Sequence, residues 1–196
     1  MQKKSTVMIF MGLAICALIG VYLLYTNSLA SIKRDADFIK LCLNNGSLQQ
    51  INDAIKNGAN VNARDEDGLT PLFCAAISNP TIITALISAG ADVNAKDKQG
   101  MTSLMLLALS QKANPEAITA LIKAGADVNA KTNKGTTALM GAVLQKRNPE
   151  VITTLLELGA DPKVKNGDGK MAIDYARENE KLENTEVLRR LEEASK

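Results

Sequence analysis

The string NGANVNA at residues 57–63 returns as AGADVNA at residues 89–95 and again at residues 124–130. A looser copy, LGADP, stands at residues 158–162. The glycines of these four strings are 32, 35 and 34 residues apart, and a second set of glycines keeps the same intervals: Gly68, Gly100, Gly135 and Gly169. Two independent markers in one register indicate a repeated structural unit, and such units bury a continuous core by stacking on one another.

Each unit carries the start signals of two helices. In Thr70-Pro71-Leu72 the threonine suits the N-cap and the proline suits the first helical turn, and Thr102 and Thr137 repeat this start without the proline. A second helix is predicted to begin where an asparagine precedes a proline, at Asn79, Asn114 and Asn148. This second helix ends at the repeated glycine, which can adopt the left-handed backbone conformation. The unit is therefore predicted to be helix, turn, helix and a polar finger, and the fold class an all-α solenoid with short β-hairpin fingers.

The residues DGLTPL at 67–72, the pair Ala75-Ala76 and the GADVNA strings resemble the ankyrin repeat family. The resemblance implies about five stacked units in an ankyrin repeat domain over residues 35–196: 35–65, 66–97, 98–132, 133–166 and a cap at 167–196. The family usually has histidine after Thr-Pro-Leu, and this chain departs from that pattern at Phe73, Met105, Met140 and Asp174. We expect apolar packing to replace the histidine at the first three positions.

Residues 1–30 are predicted to be a membrane anchor or a signal segment, joined to the repeats by a short linker at 31–34. Residues 7–25 contain no charged residue, Asn or Gln, and a helix of that length spans about 28 Å, close to the bilayer core of roughly 30 Å. Lys3 and Lys4 favour a cytoplasmic N-terminus, which places the repeats outside the cytoplasm in the cell envelope. The length favours an uncleaved single-pass anchor, whereas the small residues at Ser28 and Ala30 permit cleavage after Ala30 and a periplasmic or secreted domain.

The composition excludes several functions. The chain has no histidine and six aromatic residues, so histidine-based catalytic triads, histidine metal ligands and base-stacking surfaces are absent or poorly supplied. Apart from Lys3 and Lys4 the chain is electrically balanced, which does not favour nucleic acid as a partner. No phosphate-binding loop, dinucleotide fingerprint or zinc-spaced cysteine set occurs. We therefore expect no catalytic residues, no metal and no cofactor.

Two acidic segments and two cysteines are candidates for other roles. Asp65-Glu66-Asp67-Gly68 and Asp168-Gly169 do not stand in loops with carboxylates at the first and last positions, where a calcium-binding loop needs them. Both segments are therefore interpreted as turns. A hydrolase that uses the carboxylates of Asp65, Glu66 and Asp67 remains an alternative. Cys42 and Cys74 occupy equivalent positions of adjacent units, about 8 to 10 Å apart, too far for a disulfide. We predict that they are buried and unbonded.

The ankyrin resemblance implies a concave surface, formed by finger tips and first helices, that binds a protein partner. The expected partner-binding residues are Glu66, Asp67, Leu69, Ile77 and Ser78 in the second unit, Lys98, Gln99, Met101, Leu109 and Ser110 in the third, and Asn133, Lys134, Thr136, Leu144 and Gln145 in the fourth. Leu69, Ile77, Met101, Leu109 and Leu144 form a recurring apolar stripe with polar neighbours.

These features predict a bacterial-type envelope protein that recognises another protein without catalysis and contacts the membrane through residues 7–25. A secreted effector released by cleavage near Ala30 is the first alternative. A structural spacer and the carboxylate hydrolase are the others.

Overall fold

The computed structural model describes residues 2–145, 149–178 and 185–195, and for residues 2–21 it describes the backbone only. Helices account for most of the described chain. They are α1 (Gln2–Leu43), α2 (Leu48–Lys56), α3 (Pro71–Ser78), α4 (Ile83–Ser88), which follows a short 3-10 helix at Pro80–Ile82, α5 (Ser103–Leu109), α6 (Pro115–Lys123), α7 (Ala138–Leu144), α8 (Pro149–Glu157), α9 (Ala172–Arg177) and α10 (Glu186–Ala194).

The helices form two layers. The inner layer contains α1, α3, α5, α7 and α9, each packed against the next, and the outer layer contains α2, α4, α6, α8 and α10 in the same order. Apolar side chains from both layers form one continuous core. Met105 and Met140 belong to this core, and they and Phe73 are at most 3% exposed. The prediction that apolar packing replaces the histidine at these positions is therefore confirmed.

The inner helices begin at the predicted threonines. The hydroxyl of Thr70 accepts the N–H of Phe73 at 3.3 Å, and Thr102 and Thr137 accept the N–H three residues further on in the same way. Pro71 occupies the first turn of α3. Each hydroxyl thereby satisfies one of the backbone donors that the first turn of a helix leaves without a partner.

The predicted asparagine caps of the outer helices are found in some units and not in others. Asn114 caps α6 by accepting the N–H of Ala117 at 2.7 Å. Asn79 makes no cap hydrogen bond to the backbone, so the prediction that it caps the second helix of its unit is wrong. Its amide instead donates to the carbonyl of Gly46 in the preceding unit at 3.1 Å, and the chain continues as a 3-10 helix. The predicted cap at Asn148 lies outside the described residues.

The fingers are tight turns. In the first one the N–H of Asp65 donates to the carbonyl of Leu69 at 3.1 Å, and the N–H of Gly68 donates to the carbonyl of Asp65 at 3.0 Å. No β-strand occurs in the part of the chain that the structure describes, so the predicted β-hairpin ladders are not confirmed. In this finger the N–H groups of Asp67 and Leu69 bond to the side chain of Asp65 rather than to a paired strand.

The N-terminal helix is longer than the repeats require. α1 runs without interruption through residues 31–34, where the sequence predicted a linker, and these residues include no glycine or proline to end a helix. Within the described residues, no helix combines the length and apolar character that a bilayer crossing demands. Most of the predicted membrane segment 7–25 falls among the residues 2–21, whose side chains lie outside the described part.

Candidate partner-binding surface

The last asparagine of the repeated string joins each unit to the next. The amide of Asn94 donates to the carbonyl of Gly125 and its oxygen accepts the N–H of Asp127, both at 2.8 Å. Asn62 and Asn129 make the same pair of bonds to the following units. These paired bonds fix successive fingers relative to one another and give a physical reason for the recurrence of the string.

The side chain of the first residue of each finger stabilises the turn at the finger tip by accepting backbone hydrogen bonds. One carboxylate oxygen of Asp65 accepts the N–H groups of Asp67 and Leu69 at 2.9 and 2.8 Å. Asp97 does the same in the next finger, and Thr132 uses its hydroxyl for the same purpose. The acidic segment at 65–68 and the Asp168-Gly169 segment are turns, as predicted.

These contacts also concern the alternative that Asp65, Glu66 and Asp67 form a carboxylate-based hydrolase site. One oxygen of the Asp65 carboxylate already accepts two backbone N–H groups, and the carboxylate of Asp67 lies 3.8 Å from the Lys98 ammonium. Among the described residues, no group of three or more His, Cys, Asp or Glu side chains could hold a metal ion.

The predicted finger residues all lie at the exposed tips: Glu66, Asp67, Lys98, Gln99, Asn133 and Lys134. Backbone hydrogen bonds connect neighbouring tips, from the N–H of Lys98 to the carbonyl of Asp67 at 3.4 Å and from the N–H of Asn133 to the carbonyl of Gln99 at 3.0 Å. The side-chain amide of Asn133 donates to the carbonyl of Lys98 at 3.0 Å. Asn133 therefore has a structural role that the sequence did not indicate.

The predicted apolar stripe is exposed at two of its five positions. Ile77 and Leu144 are 42% and 48% exposed, whereas Leu69, Met101 and Leu109 are half-buried, as is Thr136. Met101 packs against the core. Leu109 lies over Gly141, where an added Cβ would be 3.1 Å from its Cγ. The expectation that all five side chains face solvent is therefore corrected, because three of them are half-buried.

A shallow groove of about 390 Å³ lies beside the C-terminal ends of the inner helices, lined by Ile77, Leu106, Leu109, Ser110, Gln111, Lys112 and Gln145. Four of these residues were predicted, and Leu106, Gln111 and Lys112 were not. The sequence feature that could have indicated Gln111 and Lys112 is the length of the loop between α5 and α6. Thr70 and Thr102 are 32 residues apart but Asn79 and Asn114 are 35 apart, so the third unit has three additional residues between its helices.

The family model for ankyrin repeats (3 copies) matches residues 38–132, 79–166 and 104–194, which together extend from 38 to 194. The chain belongs to the ankyrin repeat family. Ankyrin repeats are protein–protein interaction modules and are generally not catalytic, so this chain contains such a module. A search of curated proteins found no match.

Serines predicted to bind a partner instead help to hold the ankyrin units together. The hydroxyl of Ser78 contacts the carbonyls of Cys74 and Cys42, at 2.6 and 3.1 Å, and so connects α3 to α1. The hydroxyl of Ser110 lies 3.5 Å from the carbonyl of Ile77 and connects α5 to α3. The carbonyls at the end of a helix have no partner within it, which is why polar side chains from the next unit bind there.

The longer loop of the third ankyrin unit also forms a hydrogen bond to the preceding unit. The ammonium of Lys112 donates to the carbonyl of Ser78 at 2.5 Å. This contact fixes one wall of the groove and leaves a positive charge at its rim. Gln111 next to it is exposed, and Gln145 is half-buried on the opposite side.

The two cysteines of the ankyrin domain lie inside the stack. Cys42 and Cys74 are free thiols, at 0% and 1% exposure. Burial raises the pKa of Cys42 to about 12 and that of Cys74 to about 11. Both thiols are therefore protonated at neutral pH and pack as small apolar side chains.

Proposed function

We propose that this protein is a non-catalytic recognition protein, displayed outside the cytoplasmic membrane, that binds a protein partner through the concave ankyrin surface. The exposed pair Ile77 and Leu144 carries this proposal. These residues occupy equivalent positions on inner helices, on either side of Leu109, and polar side chains such as Lys112 and Gln145 form the rim. An apolar centre within a polar rim is the usual composition of a protein interface.

The display outside the membrane is supported by the N-terminal helix. Tyr22, Leu23, Leu24 and Tyr25 are 53–72% exposed. Four consecutive helical residues point in all directions around the axis, so a single partner helix would leave some of them uncovered, whereas a bilayer covers them all. The uninterrupted α1 then connects the apolar segment directly to the first ankyrin unit. A single-pass anchor fits this arrangement, and release after Ala30 as a secreted effector is the alternative.

The partner surface is tested by crosslinking and affinity capture of the full-length protein in cells. We expect the double variant Ile77→Lys, Leu144→Lys to lose one captured envelope protein, because two charges would enter the apolar centre. The matched control is Leu48→Lys, because Leu48 is 50% exposed but lies on the outer helix α2. Circular dichroism first establishes that both variants fold. If the double variant and the control capture the same proteins, the concave surface is not the binding site.

The location is tested separately. Protease added to intact spheroplasts is expected to degrade the ankyrin domain while a cytoplasmic marker survives. Mass spectrometry of the isolated protein then gives its N-terminus, which is at Met1 for an anchor and at Ser31 for a cleaved signal peptide. A domain that is digested only after the cells are lysed contradicts the proposed orientation.

A further inference from the structure

One side of α1 carries an apolar stripe before the helix enters the ankyrin domain. Tyr22, Tyr25, Leu29 and Ile32 are 65%, 62%, 47% and 63% exposed, and Ala36 continues the stripe with an exposed small side chain. The intervals between these residues are three, four, three and four. This is the spacing of the a and d positions in a heptad repeat, whose apolar residues face another helix.

Up to Ala36, the stripe is separate from the surface that packs on the domain. Phe38 and Cys42 lie on a different side of α1 and are at most 2% exposed. Ile39 is the next residue of the heptad after Ala36, and it is 7% exposed because it already belongs to the core. The free part of the stripe therefore ends where the ankyrin domain begins, and most of its neighbours are polar: Thr26, Asn27, Ser28, Ser31, Lys33 and Arg34.

We propose that this stripe, residues 22–36, pairs with the same stripe of a second copy of this chain as a parallel two-stranded coiled coil. A heptad stripe fits a helix with the same repeat, and an identical chain supplies one. The flanking charges are complementary. Asp35 and Lys40 stand at the g and e positions, which meet across a parallel pair at an offset of five residues. One oxygen of Asp35 accepts the N–H of Asn60 at 3.1 Å and lies 3.6 Å from Nε of Arg34 in its own chain. Lys40 of the second copy would therefore share this carboxylate with Arg34.

The parallel orientation rests on the proposed membrane segment, because two chains that begin in the same bilayer point the same way. The pairing itself rests on the stripe. Two heptads are short for an independent coiled coil. Confinement of both helices to one membrane raises their effective concentration, which compensates for the small contact. The result is two ankyrin domains held side by side, with two partner surfaces on one stalk.

Disulfide formation along α1 tests this proposal. Single cysteines are placed in the full-length chain carrying Cys16→Ser, and the protein is oxidised in native membranes. Cys42 and Cys74 remain, because both are buried. We expect Leu29→Cys and Ile32→Cys to form crosslinked dimer at least about fivefold faster than the controls Asn27→Cys and Ala30→Cys, since like residues meet only at a and d positions of a parallel pair.

A second variant separates pairing from random collision. A chain with Ala36→Cys is expected to crosslink, and the addition of Leu29→Ser and Ile32→Ser is expected to abolish the crosslink without changing the circular dichroism spectrum. Equal rates at all positions, or a maximum at Asn27 or Ala30, would overturn the proposal. Sedimentation with membranes is measured independently. Crosslinking at Leu29 and Ile32 in a chain that does not sediment supports the pairing while contradicting the proposed display.

Discussion

Gly100 illustrates how single residues determine the finger geometry. Its φ of +76° lies in the left-handed region, and an added Cβ would be 2.9 Å from the backbone nitrogen and 2.7 Å from the side-chain oxygen of Asn133. Gly90 has a similar φ of +87°, but no atom lies within 4 Å of its added Cβ. The two glycines therefore separate the cost of backbone conformation from the cost of a clash between fingers.

We predict that Gly100→Ala lowers the free energy of unfolding by about 3 kcal/mol, the sum of left-handed strain and overpacking against the next finger. Gly90→Ala is expected to cost only the strain, about 1 kcal/mol. Urea unfolding followed by circular dichroism measures both. Equal losses would mean that the fingers separate freely and that the contact with Asn133 does not constrain them.

At the scale of elements, Asn62, Asn94 and Asn129 form an asparagine ladder that connects each unit to the next. Asn94 satisfies one carbonyl and one N–H of the next unit. The first unit has no preceding unit to supply this contact, and Asp35 of α1 replaces it by accepting the N–H of Asn60. Lys163 occupies the equivalent position in the fourth unit, with an exposed side chain. The ladder therefore ends before the C-terminal cap.

We predict that Asn94→Ala lowers the free energy of unfolding by about 1 to 2 kcal/mol, because two hydrogen bonds between units are lost at an exposed site. Lys163→Ala is the matched control, and its expected effect is within about 0.5 kcal/mol. Thermal and urea unfolding measure the difference. If the two variants lose the same stability, the ladder does not contribute to stacking.

At the scale of the whole molecule, each unit packs directly on its neighbours. The inner helix of one unit packs on the inner helix of the next, and the outer layer repeats this arrangement. The C-terminal cap packs on the fourth unit through α7 and α8, and Val187 and Leu191 of α10 are buried at 8% and 0% exposure. Because stability in a solenoid is a sum of local terms, damage at the cap is expected to remain there.

We predict that Leu191→Ala, which removes a fully buried side chain, destabilises the cap by about 3 kcal/mol. Hydrogen exchange should accelerate in α9 and α10 and remain unchanged in α3 and α5. Arg189→Ala is the control. Its partners Glu186 and Glu193 are exposed, so its effect should be much smaller than that of Leu191→Ala. Faster exchange throughout the stack in Leu191→Ala would contradict the nearest-neighbour view.

Some residues of the partner-binding surface could be predicted from the sequence and others could not. Ile77 and Leu144 were found from the register of the repeats, because each unit places equivalent residues at equivalent points. Leu109 was predicted to be exposed, yet it lies over Gly141, a contact between residues that are far apart in the sequence. Lys112 was missed because a loop insertion has no fixed direction until it folds against its neighbours.

The sequence by itself determined the repeat period, the threonine caps of the inner helices and the left-handed glycines that follow the outer helices. These features depend on interactions within one unit, between residues a few positions apart. Only the tertiary structure decided that Asn79 binds Gly46, that Asn133 connects two fingers and that Ser78 joins α3 to α1. Each of these contacts joins residues 33 to 36 positions apart. They form only when stacking brings an unsatisfied backbone group of one unit next to a polar side chain of another.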